Sequence, residues 1–199
     1  ALRVLCLQAD IADHMLEMLA GATRELSIGN TADVRVDIGP VIDAEAQANL
    51  ERHVTDMQSK GARVTRMPLG ADCANGTFVA PAVIEIASLA DLAREQFGPI
   101  LHVMRFKARD IDKVVEQINA SGYGLTLGVH SRIDECIERI AERAHVGNMY
   151  VNRNMIGAVV GVQPFGGEGR SGTGPKAGGP LYLHRLLRRT PGAVLSQAV

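Results

Sequence analysis

The 199-residue sequence has little net charge, few cysteines and no long hydrophobic run. Its 21 basic and 22 acidic residues give a formal net charge of -1, so the chain lacks the electrostatic footprint of a nucleic-acid or anionic-membrane binder. No apolar stretch approaches the roughly 20 residues that a membrane-spanning helix needs. We therefore expect a cytoplasmic protein with no membrane span and no nucleic-acid partner for this segment.

The three cysteines are odd in number and far apart, which favours reduced thiols over a disulfide framework or a zinc site. Cys6 lies in an apolar run, where burial is expected to raise the pKa of a thiol. Cys136 shares a predicted helix face with isoleucines, and Cys73 is expected on an exposed loop. None has an activating base nearby in sequence, so we assign no cysteine to catalysis and expect no metal site.

Strand and helix patterns alternate along the chain. Residues 2–8 predict a strand, and the following apolar residues recur at helical spacing behind Asp10, a candidate N-cap. Asp43 is expected to cap a second helix that Gly61 ends. Pro81 favours an edge or irregular strand over residues 78–86. The other predicted strands cover residues 63–67, 100–106, 125–129 and 149–151, and the other predicted helices cover residues 111–118 and 133–144.

This order predicts an α/β protein with a layered parallel sheet and flanking helices. The strand, helix, strand, helix, strand succession over residues 100–151 implies right-handed crossovers and a parallel core. We expect one domain over residues 1–187 and a C-terminal tail over residues 188–199. The short basic cluster at residues 184–189 is typical of a solvated surface.

The most informative segment is 162–174, where Phe165 stands between a proline and a run of glycines. Proline fixes φ and withholds a backbone donor, while closely spaced glycines allow positive φ and a close backbone approach. The segment is therefore predicted to be a shaped loop, with Gly166 and Gly167 acting as permissive backbone rather than as ligands.

Two motifs carry a resemblance to a known family. Residues 163–167 with Ser171 and Gly172 resemble the C-terminal signature of aldehyde dehydrogenases, and residues 95–99 resemble their Glu-x-Phe-Gly-Pro signature, in matching order and separation. Residues 156–158 and 171–173 are most similar to the branch that oxidises L-glutamate γ-semialdehyde (1-pyrroline-5-carboxylate). That branch occurs as a separate enzyme and as the dehydrogenase half of bifunctional proline utilization A. The run from residue 1 to about 187 resembles the latter.

The resemblance also implies what lies outside the chain. In this family the nucleophilic cysteine closes a Gly-Gln-x-Cys motif, and in proline utilization A that cysteine and a serine directly precede the sequence that opens here at Ala1. We therefore expect a catalytic domain truncated at its N-terminus, with no catalytic residue and no cofactor-binding domain. The implied cofactor of the full-length enzyme is NAD, and FAD belongs only to a separate proline dehydrogenase domain if the parent is bifunctional.

Five residues of this chain match family site positions. Glu95 matches the family carboxylate that binds the nicotinamide ribose. A carboxylate suits that role because it accepts hydrogen bonds from two adjacent hydroxyls. Phe97 matches the aromatic that borders the nicotinamide ring. Gly157 and Ala158 match positions whose backbone N–H groups bind the substrate carboxylate, and Phe165 matches the aromatic beside the aldehyde's aliphatic stem.

The same residues disfavour two other interpretations. A non-catalytic aldehyde-dehydrogenase-like module, used as a lid or oligomerisation element, would be expected to have lost these motifs, and their retention disfavours it. A phosphate-binding module is disfavoured because no Gly-x-x-x-x-Gly-Lys-Ser/Thr motif is present. Since aldehyde dehydrogenases pair subunits through their C-terminal halves, the resemblance also implies a homo-oligomer.

Overall fold

The computed structural model describes residues 2–156 and 165–172. The chain divides into two compact units, Ala1–Ile111 and Asp112–Val199. No helix in the described ranges combines the length and apolar character needed to cross a membrane.

The first unit is built on a four-stranded sheet in the order β1-β4-β3-β2. Its strands are β1 (Val4–Gln8), β2 (Arg63–Arg66), β3 (Ala82–Ile86) and β4 (Ile100–Phe106). β4 pairs in parallel with both β1 and β3, while β2 joins β3 antiparallel. Flanking helices complete the mixed α/β layers that the sequence predicted, and Ile84 and Val103 are fully buried in the central strands.

Pro81 does not place β3 at an edge. The strand begins at Ala82, directly after the proline, so no ladder hydrogen bond has to come from Pro81 itself. Its carbonyl instead accepts a 3.0 Å bond from the Met67 amide. β3 lies between β4 and β2, so the edge alternative was wrong, and of the predicted run 78–86 only Ala82–Ile86 forms a regular strand.

Helix α1 (Ala9–Arg24) follows β1 without a break, and the predicted Asp10 cap was wrong. Gln8 occupies the N-cap position in extended conformation, and Asp10 lies in the first turn, where its Oδ2 accepts from Gln8 Nε2 at 2.8 Å. The helix buries Ala12 completely and packs Leu16 against the sheet. Several large apolar residues that the spacing assigned to the core face are exposed: Ile11, Met15, Met18 and Leu26.

Helix α2 (Ala44–Ser59) matches its prediction closely. Asp43 caps it, with its side-chain oxygen accepting from the Ala46 amide at 2.7 Å. Gly61 follows the C-cap with φ of 86°, a conformation that glycine adopts without strain. The core-facing residues of the helix are Leu50, Val54 and Met57.

The connection between β2 and β3 contains a one-turn 3₁₀ helix, Ala71–Cys73, and two similar turns occur at Leu89–Asp91 and Ala108–Asp110. Cys73 is only 6% exposed, and its thiol contacts the Ile28 carbonyl oxygen at 3.7 Å. The expectation of an exposed Cys73 was therefore wrong, because the residue packs against a segment 45 positions earlier in the chain.

The second unit contains α3 (Ile111–Ala120), β5 (Tyr123–Gly124), β6 (Thr126–Val129), α4 (Asp134–Arg143), β7 (Asn148–Val151) and β8 (Glu168–Gly169). β6 pairs in parallel with β7, and β5 pairs antiparallel with β8. Within the described residues β4 pairs with β1 and β3 rather than with β6, so the strands of residues 100–151 do not form one continuous sheet. The predicted boundary at residue 187 lies outside the described residues.

Ion pairs join the two helices of the second unit. Asp112 bonds Arg139 and also Arg143, the latter at 2.9 Å, and Glu116 bonds Arg143 at 3.0 Å. Asn119 donates to the Arg143 carbonyl and accepts from the His145 amide. The end of α3 is thus tied to the end of α4, which sets where the chain enters β7.

Candidate functional site

The first candidate segment is 92–99, which carries Glu95 and Phe97 and leads into β4. The chain enters it from the one-turn helix Leu89–Asp91, which Ser88 caps: the Ser88 hydroxyl accepts from the Ala90 amide at 3.2 Å, and Asp91 accepts from the Ser88 amide at 3.0 Å. This reciprocal capping fixes the entry of the segment.

The exit of the 92–99 segment is held by backbone contacts. The Gly98 carbonyl accepts from the Ile100 amide at 2.8 Å, and the Pro99 carbonyl accepts from the Ala82 amide at 3.0 Å. Gly98 lies so close to Leu50 of α2 that an added Cβ would overlap the leucine side chain. The Gly-Pro pair of the motif therefore brings this backbone against the helix, where a larger residue would not fit.

The two candidate side chains of the same segment are exposed to solvent. Glu95 is exposed and makes no hydrogen bond or ion pair within the described residues, and Phe97 is 86% exposed. A carboxylate that no described residue occupies, next to an exposed ring, fits a ligand that offers hydroxyl donors and a flat surface.

The second candidate segment, 165–172, is held tightly by hydrogen bonds. Its strand β8 pairs with β5, and the Arg170 amide donates to the Gly122 carbonyl at 2.8 Å. The Ser171 hydroxyl accepts from the Gly124 amide at 3.2 Å, while its own amide donates to Glu168 at 3.0 Å. Phe165 opens this segment and is half-buried.

Glycines allow the close contacts of this second segment. A Cβ added at Gly147 would overlap the Gly166 carbonyl, and one added at Gly167 would overlap Ser171. Gly172 has φ of 132°, a conformation that other residues rarely adopt. The glycine run thus shapes the loop, as the sequence indicated.

The predicted site residues fall into three groups. Glu95 and Phe97 share one segment of the first unit, and Phe165 belongs to the second unit. Gly157 and Ala158, the predicted substrate-carboxylate positions, lie outside the described residues.

The chain leaves β7 through a turn that the sequence did not assign. Asn152 has φ of 53°, which asparagine adopts more readily than most residues. Its side chain accepts from the Ser131 amide at 2.9 Å and donates to the Ser131 carbonyl at 2.8 Å. These two bonds fix the direction of the chain after the strand.

A histidine pair that the sequence did not predict joins α2 to β4. His53 of α2 and His102 of β4 form a hydrogen bond between their Nε2 atoms at 2.8 Å, and His102 is fully buried. Burial, followed by the neighbouring His53, lowers the pKa of His102 to about 4. Burial also lowers the pKa of His53. The available sequence signal was a histidine on the apolar face of each of two buried elements.

The three cysteines are buried or half-buried. Burial raises the pKa of Cys6 to about 11, which disfavours a thiolate at neutral pH, as expected from its apolar run. Cys136 is half-buried on α4. Across residues 2–156 and 165–172, no group of three or more histidine, cysteine, aspartate or glutamate side chains is arranged to hold a metal ion.

A groove of about 720 Å³ lies between α1 and the β2 and β3 side of the sheet. Its charged lining is largely paired: Arg105 bonds Glu85 at 2.8 Å and Asp13 at 2.6 Å. None of the predicted cofactor or substrate residues within the described ranges lines it. The candidate chemistry therefore lies in the two segments rather than in this groove.

Comparisons with known proteins identify the chain's relatives. It is 59% identical over 201 residues to the bifunctional protein PutA of Escherichia coli, covering 98% of this chain and 15% of that protein. It is 39% identical over 176 residues to a 1-pyrroline-5-carboxylate dehydrogenase of Geobacillus, covering 87% of this chain and 33% of that protein. Thus the chain spans about a seventh to a third of the length of these relatives.

The structural comparison gives the same relationship. A crystal structure of a Bradyrhizobium japonicum proline utilization A variant superposes with a TM-score of 0.85 at 56% identity, covering 93% of this chain and 19% of that chain. The aldehyde dehydrogenase family pattern matches residues 1–190. On these matches, and on the two signature segments that they include, the chain belongs to the aldehyde dehydrogenase family.

Proposed function

We propose that this chain forms part of the catalytic domain of an NAD-dependent dehydrogenase that oxidises L-glutamate γ-semialdehyde to glutamate in proline catabolism. The observation that carries the proposal is its identity both to bifunctional PutA proteins and to separate 1-pyrroline-5-carboxylate dehydrogenases. The second kind of relative is named for a dehydrogenase reaction. The resemblance assigns the same reaction to one half of proline utilization A, so we assign it to the common segment.

The 92–99 segment supplies the cofactor contacts in this proposal. NAD, when bound, accepts the hydride that leaves the aldehyde carbon. Glu95 would hold the nicotinamide ribose through its two carboxylate oxygens, which bond none of the described residues, and Phe97 would border the ring. The exposed side chains on an anchored backbone support this assignment, because binding then requires no rearrangement of the chain.

The 165–172 segment supplies a substrate contact. Phe165 would lie beside the aliphatic stem of the aldehyde and exclude water from the reacting carbon. The hydrogen bonds of Ser171 and the contact between Gly147 and Gly166 support this role, since they fix the backbone on which Phe165 is carried. Backbone N–H groups at Gly157 and Ala158 would bind the substrate carboxylate.

The isolated 199 residues are expected to be inactive. The resemblance assigns the nucleophilic cysteine and most dinucleotide contacts to sequence outside them. We expect the isolated chain to bind NAD with a Kd above the micromolar range, in which a Kd corresponds to roughly -8 kcal/mol. Titration calorimetry that returned micromolar affinity would mean that the chain carries a further cofactor site.

The proposal is tested in the longer enzyme by two substitutions with opposite expectations. Glu95→Ala should weaken NAD binding and hydride transfer while sparing aldehyde affinity. Ala158→Leu should displace the substrate carboxylate, and losing hydrogen bonds to a charged group costs about 1.5–3 kcal/mol, or roughly tenfold to over a hundredfold in kcat/KM.

A plain aliphatic aldehyde is the matched control for Ala158→Leu, because it has no carboxylate to lose. Equal slowing of both aldehydes would contradict the substrate assignment. A non-catalytic, oligomer-forming module is the alternative, and it requires that neither substitution change any turnover of the longer protein. Size measurement of the longer enzyme would test the expected homo-oligomer separately.

A further inference from the structure

The histidine pair connects the helix and the strand that frame the 92–99 segment. His53 lies one helical turn after Leu50, the residue against which Gly98 packs. His102 lies in β4, four residues beyond Gly98, between Val4 of β1 and Ile84 of β3. A hydrogen bond from Nε2 to Nε2 at 2.8 Å therefore joins α2 to the strand that the segment enters.

The bond requires a definite number of protons. A neutral imidazole carries one N–H and one acceptor nitrogen, so a bond between two Nε2 atoms needs one proton between them. The pair can satisfy this when both rings are neutral or when one is protonated. When both rings are protonated, each Nε2 carries a proton and the two cations face each other. The contact is then lost.

Buried surroundings make the second proton costly. His102 is fully buried, and its Nδ1 has no hydrogen bond of standard geometry within the described residues. Burial is the largest cause that lowers the pKa of His102, followed by the charge of His53. The Arg3 backbone carbonyl opposes this shift, while the Arg3 guanidinium adds to it.

The charges around His53 come from its own helix and from the 92–99 segment. Burial is again the largest cause of its lowered pKa, Asp56 opposes it, and Arg94 and Lys60 add to it. Arg94 precedes Glu95 directly in the chain. The segment therefore acts on His53 electrostatically, as well as through the contact between Gly98 and Leu50.

We propose that His53 and His102 are positioning residues that hold the 92–99 segment in place while they share one proton, and that protonation of both rings releases it. This inference rests on the proposed function where it concerns cofactor binding, because Glu95 and Phe97 are the residues that would be displaced. The release itself concerns only this chain and can be measured without cofactor.

Four versions of the 199-residue chain test the release. His53→Gln keeps an amide where Nε2 was but cannot titrate, and His53→Ala removes the contact. His14→Gln is the control, since His14 is an exposed histidine of α1. Nuclear magnetic resonance would follow the His102 ring signals and the amides of Phe97 and Gly98 against pH, and hydrogen exchange at pH 7 would follow the Ile100 amide, which donates to Gly98.

In the parent chain, the Phe97 and Gly98 amides should shift in step with the second ring protonation. His53→Gln should abolish that acid shift. At pH 7 the Ile100 amide should exchange about tenfold faster in His53→Ala, while His53→Gln and His14→Gln stay within about twofold of the parent. If the Phe97 and Gly98 amides ignore the titration of His102, or if His53→Ala leaves Ile100 exchange unchanged, the positioning role is wrong.

The cofactor consequence has its own measurement in the longer enzyme. KM for NAD should rise toward acid pH with kcat changing less, and His53→Gln should flatten that rise. If Glu95→Ala leaves NAD binding unchanged, the proposed cofactor role of the segment fails, yet Ile100 exchange in the isolated chain still reports on the histidine pair. The two failures are therefore distinguishable.

Discussion

The two signature segments of this chain are held in opposite ways. The 92–99 segment is anchored at its ends and presents Phe97 at 86% exposure. The 165–172 segment is bonded along its length, to Gly122 and Gly124 through backbone and serine hydroxyl, and Phe165 is half-buried. The first segment thus offers side chains to a partner, whereas the second uses its residues to fix its own backbone.

This difference indicates where substitutions should be felt. In the first segment, Glu95 and Phe97 can be truncated without loss of a hydrogen bond or ion pair to the described residues, so the effect should be confined to binding. In the second segment, the glycine and serine positions are structural, and changes there should alter folding before they alter chemistry.

The largest effect is expected when both segments are present without the rest of the enzyme. On the proposed function we expect no NADH production from glutamate semialdehyde by the purified 199-residue chain, because the resemblance assigns the nucleophile to sequence outside it and a nucleophile acts together with its partners. Measurable turnover would contradict this. Cys6→Ser would then be the variant to examine, and we expect it to change nothing, since burial raises the pKa of Cys6 to about 11.

The next effect concerns the backbone contact of the second segment. Gly147→Ala should destabilise the second unit by about 3 kcal/mol or more, because the new Cβ overlaps the Gly166 carbonyl and overpacking against backbone cannot relax cheaply. Urea denaturation followed by circular dichroism would measure it. Gly70→Ala is the control, since nothing lies within 4 Å of its added Cβ. Equal stability of the two variants would mean that the contact between Gly147 and Gly166 does not hold the second segment in place.

Local sequence signals explain which parts of the fold were predictable. Asp43 was found as a cap because its carboxylate and the Ala46 amide are three residues apart. Asp10 failed because β1 runs directly into α1 and leaves the N-cap position to Gln8. Spacing alone also could not choose between the two apolar stripes of α1, and the sheet selected the one that contains Ala12.

Contacts between distant residues explain which features of the candidate site could not be predicted from the sequence. The glycines of the 165–172 segment were predictable, since proline and glycine constrain the backbone directly. The bond between His53 and His102 joins residues 49 positions apart, and the burial of Cys73 depends on Ile28. Neither has a local signal beyond a polar residue on an apolar face.

Acid is expected to lower the stability of the first unit by about as much as Gly147→Ala lowers that of the second. Burial holds the pKa of His102 at about 4 in the folded chain, whereas the ordinary pKa of histidine is 6.5. Between pH 4 and 6.5 the unfolded state therefore binds more protons than the folded state. Stability from this group is complete above pH 6.5 and falls as the pH drops to 4. At 1.36 kcal/mol per pKa unit the loss is up to roughly 3 kcal/mol. Urea denaturation at several pH values would measure it.

His102→Leu separates this effect from general acid sensitivity. Leucine cannot titrate and suits the buried position, while His53 is half-exposed and can bond water instead. We expect the variant to lose most of the stability change between pH 6.5 and 4. An unchanged pH dependence would assign the acid sensitivity to other groups.

The smallest effect is expected where the 92–99 segment meets solvent. Glu95→Ala and Phe97→Ala should each change the stability of the isolated chain by less than about 0.5 kcal/mol, because exposed side chains without internal partners contribute little to folding. Thermal and urea denaturation of the two variants beside the parent chain would measure this, with Leu50→Ala as a buried comparison in the same region.

Leu50 is 3% exposed and contacts Gly98, so its truncation should cost about 2–5 kcal/mol. If Phe97→Ala were as destabilising as Leu50→Ala, the ring would be part of the core of this unit, and the two signature segments would be held in the same way after all.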